Sequence, residues 1–509
     1  MVGGGTSEVG SSLPIAAFVA PIVAGGIVFL GRRLGPRLCQ ALTLLASGIL
    51  AAIGARMAWL AAGGLVLVAW GNELRVDALS ALLVAVIGGV GVLTAVYAAG
   101  YVARPGLLTR LGPAVAEARL PVFLALLLWF LGTMVWGCVT NNIIMLYVAV
   151  EATTLTSGLL VAFYWDRRAL EAGYKYLMLL TIGITFALFG CVLAYAGAAA
   201  TGQLHGAQAL LLSEIGRVAH LIPSGTALLA VAFLVVGFGT KAGIAPFHPW
   251  LPDAHAEAPT PISVLLSGVM IKMAAYALAR TVSPFFPAWP QLVIFVVALG
   301  SFTMLLGIVM ALAQDDLKRL LAYSSVSQMG YVLVGIGLGT YLGCYGGLFH
   351  LLNHALSKAL LFMCAGAVVY ATGARRIGDL GGLARHMPVT SACFVLGALA
   401  IAGFPPLNGF MSKLTLYLAL ARAGLWWAVA LALVTSILTA AVLLRAAQRV
   451  FWAEPKGAFD PGTEPHEVPA SLLVPMLILA AACLALGVFP QAAYPLLDRA
   501  ATALAALGR

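Results

Sequence analysis

The sequence predicts an all-α polytopic membrane protein of about fourteen transmembrane helices, with two inverted five-helix repeats in which helices 7 and 12 are broken. Three observations carry this expectation. Of 509 residues, 62% are hydrophobic and only 9% are charged, whereas a soluble domain needs roughly a quarter of its residues charged to keep its surface wet. Apolar runs of about twenty residues, the length that crosses a bilayer, recur from end to end. Two Gly/Pro-rich interruptions fall at matching places within two groups of five runs. The missing polar surface is explained if lipid covers the outside, and no stretch is left for a soluble catalytic domain.

In order, the spans read as 13–31, 38–62, 77–101, 120–138, 142–164, 169–199, 225–245, 260–282, 289–311, 317–337, 340–371, 388–421, 425–450 and 468–489. The stretch 491–507 is too short and too near the end to count as a span. The first run lacks a basic leader and a clear small-residue cleavage site, so it reads as a retained helix and not a signal peptide. Residues 1–119 then hold three N-terminal helices, 120–282 the first repeat, 289–452 the second, and 468–509 the fourteenth helix and tail. The seventh span runs into Gly243-Ile-Ala-Pro246-Phe-His-Pro249 and the twelfth into Gly403-Phe-Pro405-Pro406-Leu-Asn-Gly409. Proline removes a backbone donor and crowds the preceding turn, so each helix breaks there. Each break is fourth in its group of five, and an odd repeat length turns the second copy over in the membrane. Two unrelated proline kinks are the alternative.

Basic residues set the orientation. Of 28 Lys and Arg residues, 17 lie in odd-numbered connections or at their edges: Arg32, Arg33, Arg37, Arg104, Arg110, Arg119, Arg167, Arg168, Lys175, Lys318, Arg319, Arg375, Arg376, Arg385, Arg445, Arg449 and Lys456. Five lie at even-numbered ends (Arg56, Arg75, Arg217, Arg280, Arg422), two in the tail (Arg499, Arg509) and four inside spans. Basic connections stay cytoplasmic. The odd connections are therefore expected to face the cytoplasm, and both termini the outer face of a prokaryotic-type inner membrane. The net charge of +10 is then topology and not a nucleic-acid footprint. Cys39, Cys138, Cys191, Cys344, Cys364, Cys393 and Cys483 stand singly, without CxxC or iron–sulfur spacing. The segment 237–243 lacks Walker A spacing. No cofactor, metal or nucleotide site is visible, so energy must come from an ion gradient or a partner.

Among 18 acidic residues only Glu151 reads as mid-span, joined inside the apolar runs by Lys241, Lys272, Lys358 and Lys413. A charge at the bilayer centre costs about 2.5–3.5 kcal/mol on insertion scales. Static salt bridges are the alternative, but one carboxylate cannot neutralise four lysines. Lysine suits proton transfer because desolvation favours its neutral form and a nearby carboxylate its charged one. Glu151 is the expected partner, and Lys241, just before a break, the expected switch. His350, His354 and Lys358 fall at i, i+4 and i+8, one helix face rising about 12 Å, and read as a proton relay flanked by Asn353. His248, in the broken segment, is a secondary candidate. Asp315 and Asp316 precede Lys318 and Arg319 at the start of the tenth span and read as N-terminal caps.

At these residues the chain resembles a known family. Lys241-Ala-Gly-Ile-Ala-Pro-Phe-His-Pro-Trp-Leu-Pro-Asp-Ala-His255, then Ala258-Pro-Thr-Pro-Ile-Ser263 and Lys272, look like the signature of the antiporter-like subunits of respiratory complex I. Lys318-Arg-Leu-Leu-Ala-Tyr-Ser-Ser-Val-Ser-Gln-Met-Gly330 and Phe349-His-Leu-Leu-Asn-His-Ala-Leu-Ser-Lys358 are similar to the same family. It also includes subunits of Mrp-type cation/proton antiporters and of membrane-bound hydrogenases.

The resemblance covers nearly the whole chain and implies fourteen helices in two inverted repeats. It implies that Glu151 is the fifth-helix glutamate, Lys241 the broken-helix lysine paired with it, Lys272 the lysine leading to the channel centre, and Lys413 the last group of the second half-channel. The chain ends soon after the fourteenth span, so the long lateral helix of the most distal complex I subunit is not expected. Lys413 stands where one complex I branch has glutamate. Val150-Glu-Ala-Thr-Thr-Leu-Thr156 with Ala169-Leu-Glu-Ala-Gly-Tyr-Lys-Tyr176 most resembles the hydrogenase-4 type subunits. The function implied is proton translocation within a redox-driven, complex I-related assembly, NADH:quinone oxidoreductase-like or a membrane-bound hydrogenase. Its partners are other membrane subunits and the lipid bilayer, its cargo protons or Na+, with no cofactor of its own. The alternatives are an Mrp-type Na+/H+ antiporter subunit without redox chemistry, and a membrane scaffold that has lost transport.

Overall fold

A computed structural model describes residues 7–31, 35–102, 113–454 and 465–507, and of 113–118 the backbone alone. Arg32, Arg33, Arg104, Arg110, Lys456 and Arg509, used above for orientation, lie outside the described residues. The spans run Leu13–Leu30, Pro36–Ala62, Ala78–Val102, Pro113–Val139, Ile143–Val161 and Arg167–Ala200. The seventh, Ser224–Ala242, resumes after its break as Trp250–Glu257. Then follow Thr260–Phe285, Gln291–Leu312, Leu317–Gly337 and Tyr341–Thr372. The twelfth comes in two pieces, Pro388–Ala402 and Asn408–Arg422, and Trp426–Trp452 and Ala470–Val488 complete the set.

Among the described residues, thirteen helices are individually long and apolar enough to cross a membrane. The expected fourteenth is the broken twelfth span, whose pieces have 15 residues each. One such piece is about 22 Å long, short of the roughly 30 Å hydrocarbon core, so only the two together reach across.

The all-α expectation misses a small sheet. Strand β1 (Ser7–Gly10) runs parallel to β2 (Leu65–Ala69), which pairs antiparallel with β3 (Leu74–Val76). β2 is Leu-Val-Leu-Val-Ala, an alternating β-branched run that falls between the expected spans 38–62 and 77–101 and is too short to register by apolar length. Trp70, Gly71 and Asn72 make its turn with φ of 49°, 63° and 75°. On the same side lies the helix Tyr494–Ala506, which is packed and not spanning. It buries Leu497, Ala500, Ala501 and Leu504, while Arg499 Nε donates to Ala62 O at 2.9 Å.

Two spans form the spine. The eighth is buried at every residue but Arg280, and the tenth at every residue but Arg319. The tenth lies against the ninth through small residues: a Cβ on Gly307 would fall 2.4 Å from Ser327 N, and one on Gly330 2.5 Å from Gly300 O. Close backbone approach of this kind is how helices associate where lipid offers no hydrophobic drive. Polar side chains close the helix ends. Asp316 accepts from Lys318 N (2.9 Å) and Arg319 N (3.1 Å), as a cap should. Asp315 instead accepts from Gly378 N at 3.1 Å and pairs with Arg376. The start of the twelfth span is capped from afar by Glu467, which accepts from Val389 N, Thr390 N and the Thr390 hydroxyl.

Candidate functional site

The two breaks are built alike. Gly243 and Gly403 end their helices in the left-handed region, at φ of 73° and 90°, where glycine carries no Cβ penalty. Gly243 N donates to Thr240 O, Ile244 N to Gly239 O and Phe247 N to Ile244 O; Gly403 N, Phe404 N and Leu407 N donate in the same pattern to Ala400 O, Leu399 O and Phe404 O. Each break contains a cis X–Pro bond, Ala245–Pro246 and Pro405–Pro406.

Lys241 is buried at the end of its helix, with Nζ donating to Thr154 Oγ1 at 2.9 Å and lying 5.6 Å from the centre of the Tyr176 ring. Thr154 is one turn beyond Glu151 on the fifth span. Glu151 itself makes no ion pair with Lys241: Oε1 accepts from Thr181 at 3.2 Å and Oε2 has no partner. The carboxylate is half-buried beside the exposed Thr181 on the outer flank of spans five and six. The expected pair is therefore not in contact: Lys241 bonds a hydroxyl one helical turn from Glu151, and that hydroxyl donates in turn to Val150 O at 3.2 Å. Tyr176 OH bonds Ser157 Oγ at 2.6 Å and Met270 Sδ at 3.3 Å, which leads to the eighth span.

There the helix opens into a π turn, Leu266–Met270, a local distortion common at functional sites. Its Ser267 carbonyl takes the ammonium of Lys272. The Ser267 hydroxyl bonds Ser325 at 2.7 Å, Ser325 donates to Leu321 O at 2.9 Å, and Lys358 donates to the same carbonyl at 3.0 Å and to Ser324. Lys272 and Lys358, on different spans, are thus joined through the serines of the tenth.

Beyond Lys358 the eleventh span presents His354 and His350, stacked with ring centres 6.2 Å apart and planes 5° from parallel. Neither ring nitrogen of His354 has a partner. His350 bonds Ser412 at 3.1 Å and Gln328 Oε1 at 3.2 Å. Its ring lies 5.3 Å from that of Tyr331, over which Lys413 Nζ sits at 4.7 Å. Lys413 donates to Ala402 O at 3.2 Å and Ser436 Oγ at 2.9 Å. Six of the seven expected residues are thus buried along one route, with His354 unpartnered within it, and the partly buried Glu151 stands at the route's end. His248 is buried beside Tyr323 with its Nδ1 unpartnered, off that line.

Two buried groups escaped the sequence reading. Lys318 reads in the sequence as a charge at the edge of an odd-numbered connection, yet it is 4% exposed and donates to Ala258 O at 2.6 Å. Its place right after Asp315 and Asp316 disguised it as a cap-side charge. His255 is fully buried, stacked 4.7 Å from Phe362, with both ring nitrogens unpartnered. Outside them is an ion cluster: Arg375 pairs with Glu257 at 2.7 Å and Asp316 at 2.8 Å, and Arg319 with Asp253 at 3.1 Å. Burial works against the charge of Arg375, but the Glu257 hydrogen bond and the two carboxylates hold its pKa above the usual arginine value. A cavity of about 790 Å³ lies between the sheet and the helix Tyr494–Ala506, and is lined by Arg75, Asp77, Arg280 and Arg499 among others.

Residues 140–439, the stretch holding the whole lysine line, match the family described as NADH:quinone oxidoreductase/Mrp antiporter, TM. The chain is 35% identical over 445 residues to an NADH-quinone oxidoreductase subunit N of Desulforudis audaxviator, covering 83% of each chain. It is 34% identical to a hydrogenase-4 component F homolog of Methylacidiphilum infernorum, over 77% of this chain and 81% of that one. Among solved structures it is similar to a chain of the Mrp complex from Dietzia sp. DQ12-45-1b, with a TM-score of 0.85, 25% identity and 97% of both chains covered.

Proposed function

We propose, from the fact that this chain belongs to the NADH:quinone oxidoreductase/Mrp antiporter transmembrane family, that it moves protons along the buried lysine line as a membrane subunit of a complex I-related assembly. The observation that carries the reading is the chemistry of the line. Lys241, Lys272, Lys358 and Lys413 are each at most 2% exposed, and hydroxyls, carbonyls and imidazoles lie between them with no carboxylate interposed. Groups that only needed to be neutralised would sit in ion pairs, as Arg280 does with Asp77. Amines held by neutral acceptors can release and regain a proton without breaking a salt bridge.

Glu151, only partly buried beside the exposed Thr181, supports a partner at that flank, since a carboxylate near hydrocarbon is costly and becomes more tolerable when another subunit covers it. The matched backbone of the two breaks supports two inverted five-helix repeats, 120–282 and 289–452. The distribution of basic residues supports cytoplasmic odd connections and outward termini. A cysteine introduced beside Arg167 should then react with an impermeant thiol reagent only from the cytoplasmic side, and labelling from outside reverses the orientation.

The decisive experiment is proton uptake by sealed vesicles carrying the intact assembly, with the partner's redox rate recorded alongside. Lys358→Ala and Lys413→Ala should each stop uptake, and the double variant should be no worse than the more severe single one, because the two interrupt one path in series. Normal uptake in either single variant removes that residue from the path. The likeness to the Mrp complex favours a second reading, a Na+/H+ antiporter subunit working without redox chemistry. It predicts that proton movement requires Na+ on the opposite side and persists when redox turnover is stopped.

A further inference from the structure

We propose that the cavity between the sheet and the helix Tyr494–Ala506 binds an anionic phospholipid, with the lipid phosphate on Arg499 and Arg75 and the start of its acyl chains on the apolar wall. The site goes beyond the transport reading and stands whether or not the chain moves protons.

The distribution of charge points there first. Basic residues are scarce on the face of the even connections, as the basic bias of the odd ones requires: five arginines stand at even-numbered ends and two in the tail. Three of these seven, Arg75, Arg280 and Arg499, line this one cavity. They come from β3, the eighth span and the last helix, so no local run of sequence gathers them. Two are already answered by carboxylates. Arg280 pairs with Asp77 and donates to Ser80 Oγ at 3.1 Å, and Arg75 pairs with Glu8 at 2.6 Å. Arg499 differs. Its Nε donates to Ala62 O at 2.9 Å, and among the described residues no carboxylate pairs with it. Its neighbour Asp498 instead accepts from the Tyr341 hydroxyl.

The free guanidinium is held in place. A Cβ on Gly64 would fall 2.7 Å from Arg499 Nη1 and 3.1 Å from Nη2, so the group occupies the space that a side chain there would take. Gly64 has a φ of 95°, a conformation open to glycine. With Nε tied to a carbonyl and the group laid against Gly64, the terminal nitrogens keep their donors for another partner. A guanidinium fork matches the oxygens of a phosphate.

The walls select the kind of phosphate. Leu65, Val66, Leu212 and Leu507 line the same cavity, and a free phosphate, wholly polar, gains nothing from them. An amphiphile gains at both ends. The volume of about 790 Å³ is that of sites for small molecules, which are mostly apolar with a few placed polar groups. The depth also fits. Ala61 and Ala62 end the second span, Ala78 begins the third, and Arg280 lies in the last turn of the eighth, all on the cavity lining. Span ends mark the level of the headgroups, and basic pockets between spans hold such headgroups.

The test uses the intact assembly, purified in detergent and stripped of lipid. Phosphatidylglycerol, phosphatidylcholine and inorganic phosphate are offered at equal concentration, and bound molecules are counted by native mass spectrometry. Ala503 lines the cavity, and Ala503→Phe fills the space while leaving the arginines in place. The parent should hold one phosphatidylglycerol more than Ala503→Phe. Arg499→Gln should weaken that binding about tenfold or more, as expected for one charge-assisted hydrogen bond. Arg499→Lys keeps the charge and should weaken it less. Arg422→Gln, at an even-numbered end but off the lining, should bind as the parent does. Equal binding by the parent, Ala503→Phe and Arg499→Gln overturns the site. Inorganic phosphate bound as tightly overturns the lipid in favour of a free anion, and phosphatidylcholine bound as tightly shows that net charge is not read and overturns the anionic class. Loss of a membrane subunit from the variants, with lipid unchanged, overturns the site in favour of a protein partner. If Arg499→Gln does not assemble, Ala503→Phe decides. Proton uptake has no part in the readout, so failure of this site and failure of the transport reading are told apart.

Discussion

Lys241 stands two residues before the glycine that ends its helix, and Lys413 stands ten residues after the corresponding glycine. The backbone of the two breaks is the same bond for bond, so what differs is how each break disposes of the carbonyls it frees. In the seventh span Thr240 O accepts from the indole of Trp250 at 2.8 Å, a neutral donor from the resumed half. In the twelfth span Ala402 O accepts from the ammonium of Lys413 and from Ser436 at 2.8 Å. A carbonyl in an apolar interior has to be paired by something. One break uses an uncharged side chain and leaves its lysine to find a hydroxyl on another helix; the other uses the lysine itself. The backbone device recurs, and the charge placed against it does not. Lys241 hangs by a single hydrogen bond to the fifth span, the helix that carries Glu151, while Lys413 is clamped by its own break.

The difference is sharpest in the hydroxyls. Thr154→Val removes the one hydrogen bond of Lys241, and hydrogen bonds to charged groups are worth about 1.5–3 kcal/mol. Proton uptake should fall by about tenfold or more while assembly is kept. Ser436→Ala leaves Lys413 its carbonyl, and uptake should fall only a few-fold. Equal losses in the two variants would break the comparison, since Lys413 would then be no better held than Lys241.

A smaller effect is expected from Trp250→Phe. The ring stays, but Thr240 O loses its indole donor and keeps only the turn bond from Gly243 N. Loss of one hydrogen bond from an acceptor that keeps another costs about 0.5–1.5 kcal/mol, so the purified assembly should melt at a lower temperature while uptake per folded molecule changes little. An unchanged melting temperature would show that Thr240 O does not depend on Trp250.

Much of this was legible in the sequence, and the reasons for what was not are physical. Apolar length located the spans, and Gly243 and Gly403 with their prolines located the breaks, because both signals are local. The intramembrane lysines stood out because a charge in an apolar run has no bland background to hide in. Lys318 hid because it adjoins Asp315 and Asp316, where a helix start makes charge unremarkable, and only the packing of Ala258 over it reveals the burial. His255 hid because burial of a loop-side histidine depends on Phe362, 107 positions away. β2 hid because five apolar residues between the spans 38–62 and 77–101 are too few to register by apolar length, and only the turn at Trp70–Asn72 pairs them. The relation of Glu151 to Lys241 was legible as proximity but not as geometry: nothing in the composition says that Thr154 takes the bond.

A last pair of substitutions tests whether the breaks are interchangeable as backbone. Gly243→Ala and Gly403→Ala both force an L-residue to positive φ, which costs about 1–2 kcal/mol, so their thermal losses should be similar. What the new methyl meets is different. At Gly243 it would come within 2.7 Å of Leu251 Cδ1, a side chain off the polar line that can turn aside; at Gly403 it would meet Lys413 Cδ at 3.0 Å, the stem of the terminal lysine. Gly403→Ala should therefore slow proton uptake severalfold, and Gly243→Ala should leave uptake per folded molecule near the parent rate. The measurement is melting temperature and uptake on the same preparations. Equal melting losses with slower uptake only at position 403 would confirm that the breaks share a backbone and differ in what they hold. Slower uptake at 243 with normal uptake at 403 would mean that Lys413 is not governed by its own break, and the contrast between the two spans would have to be redrawn around Lys241.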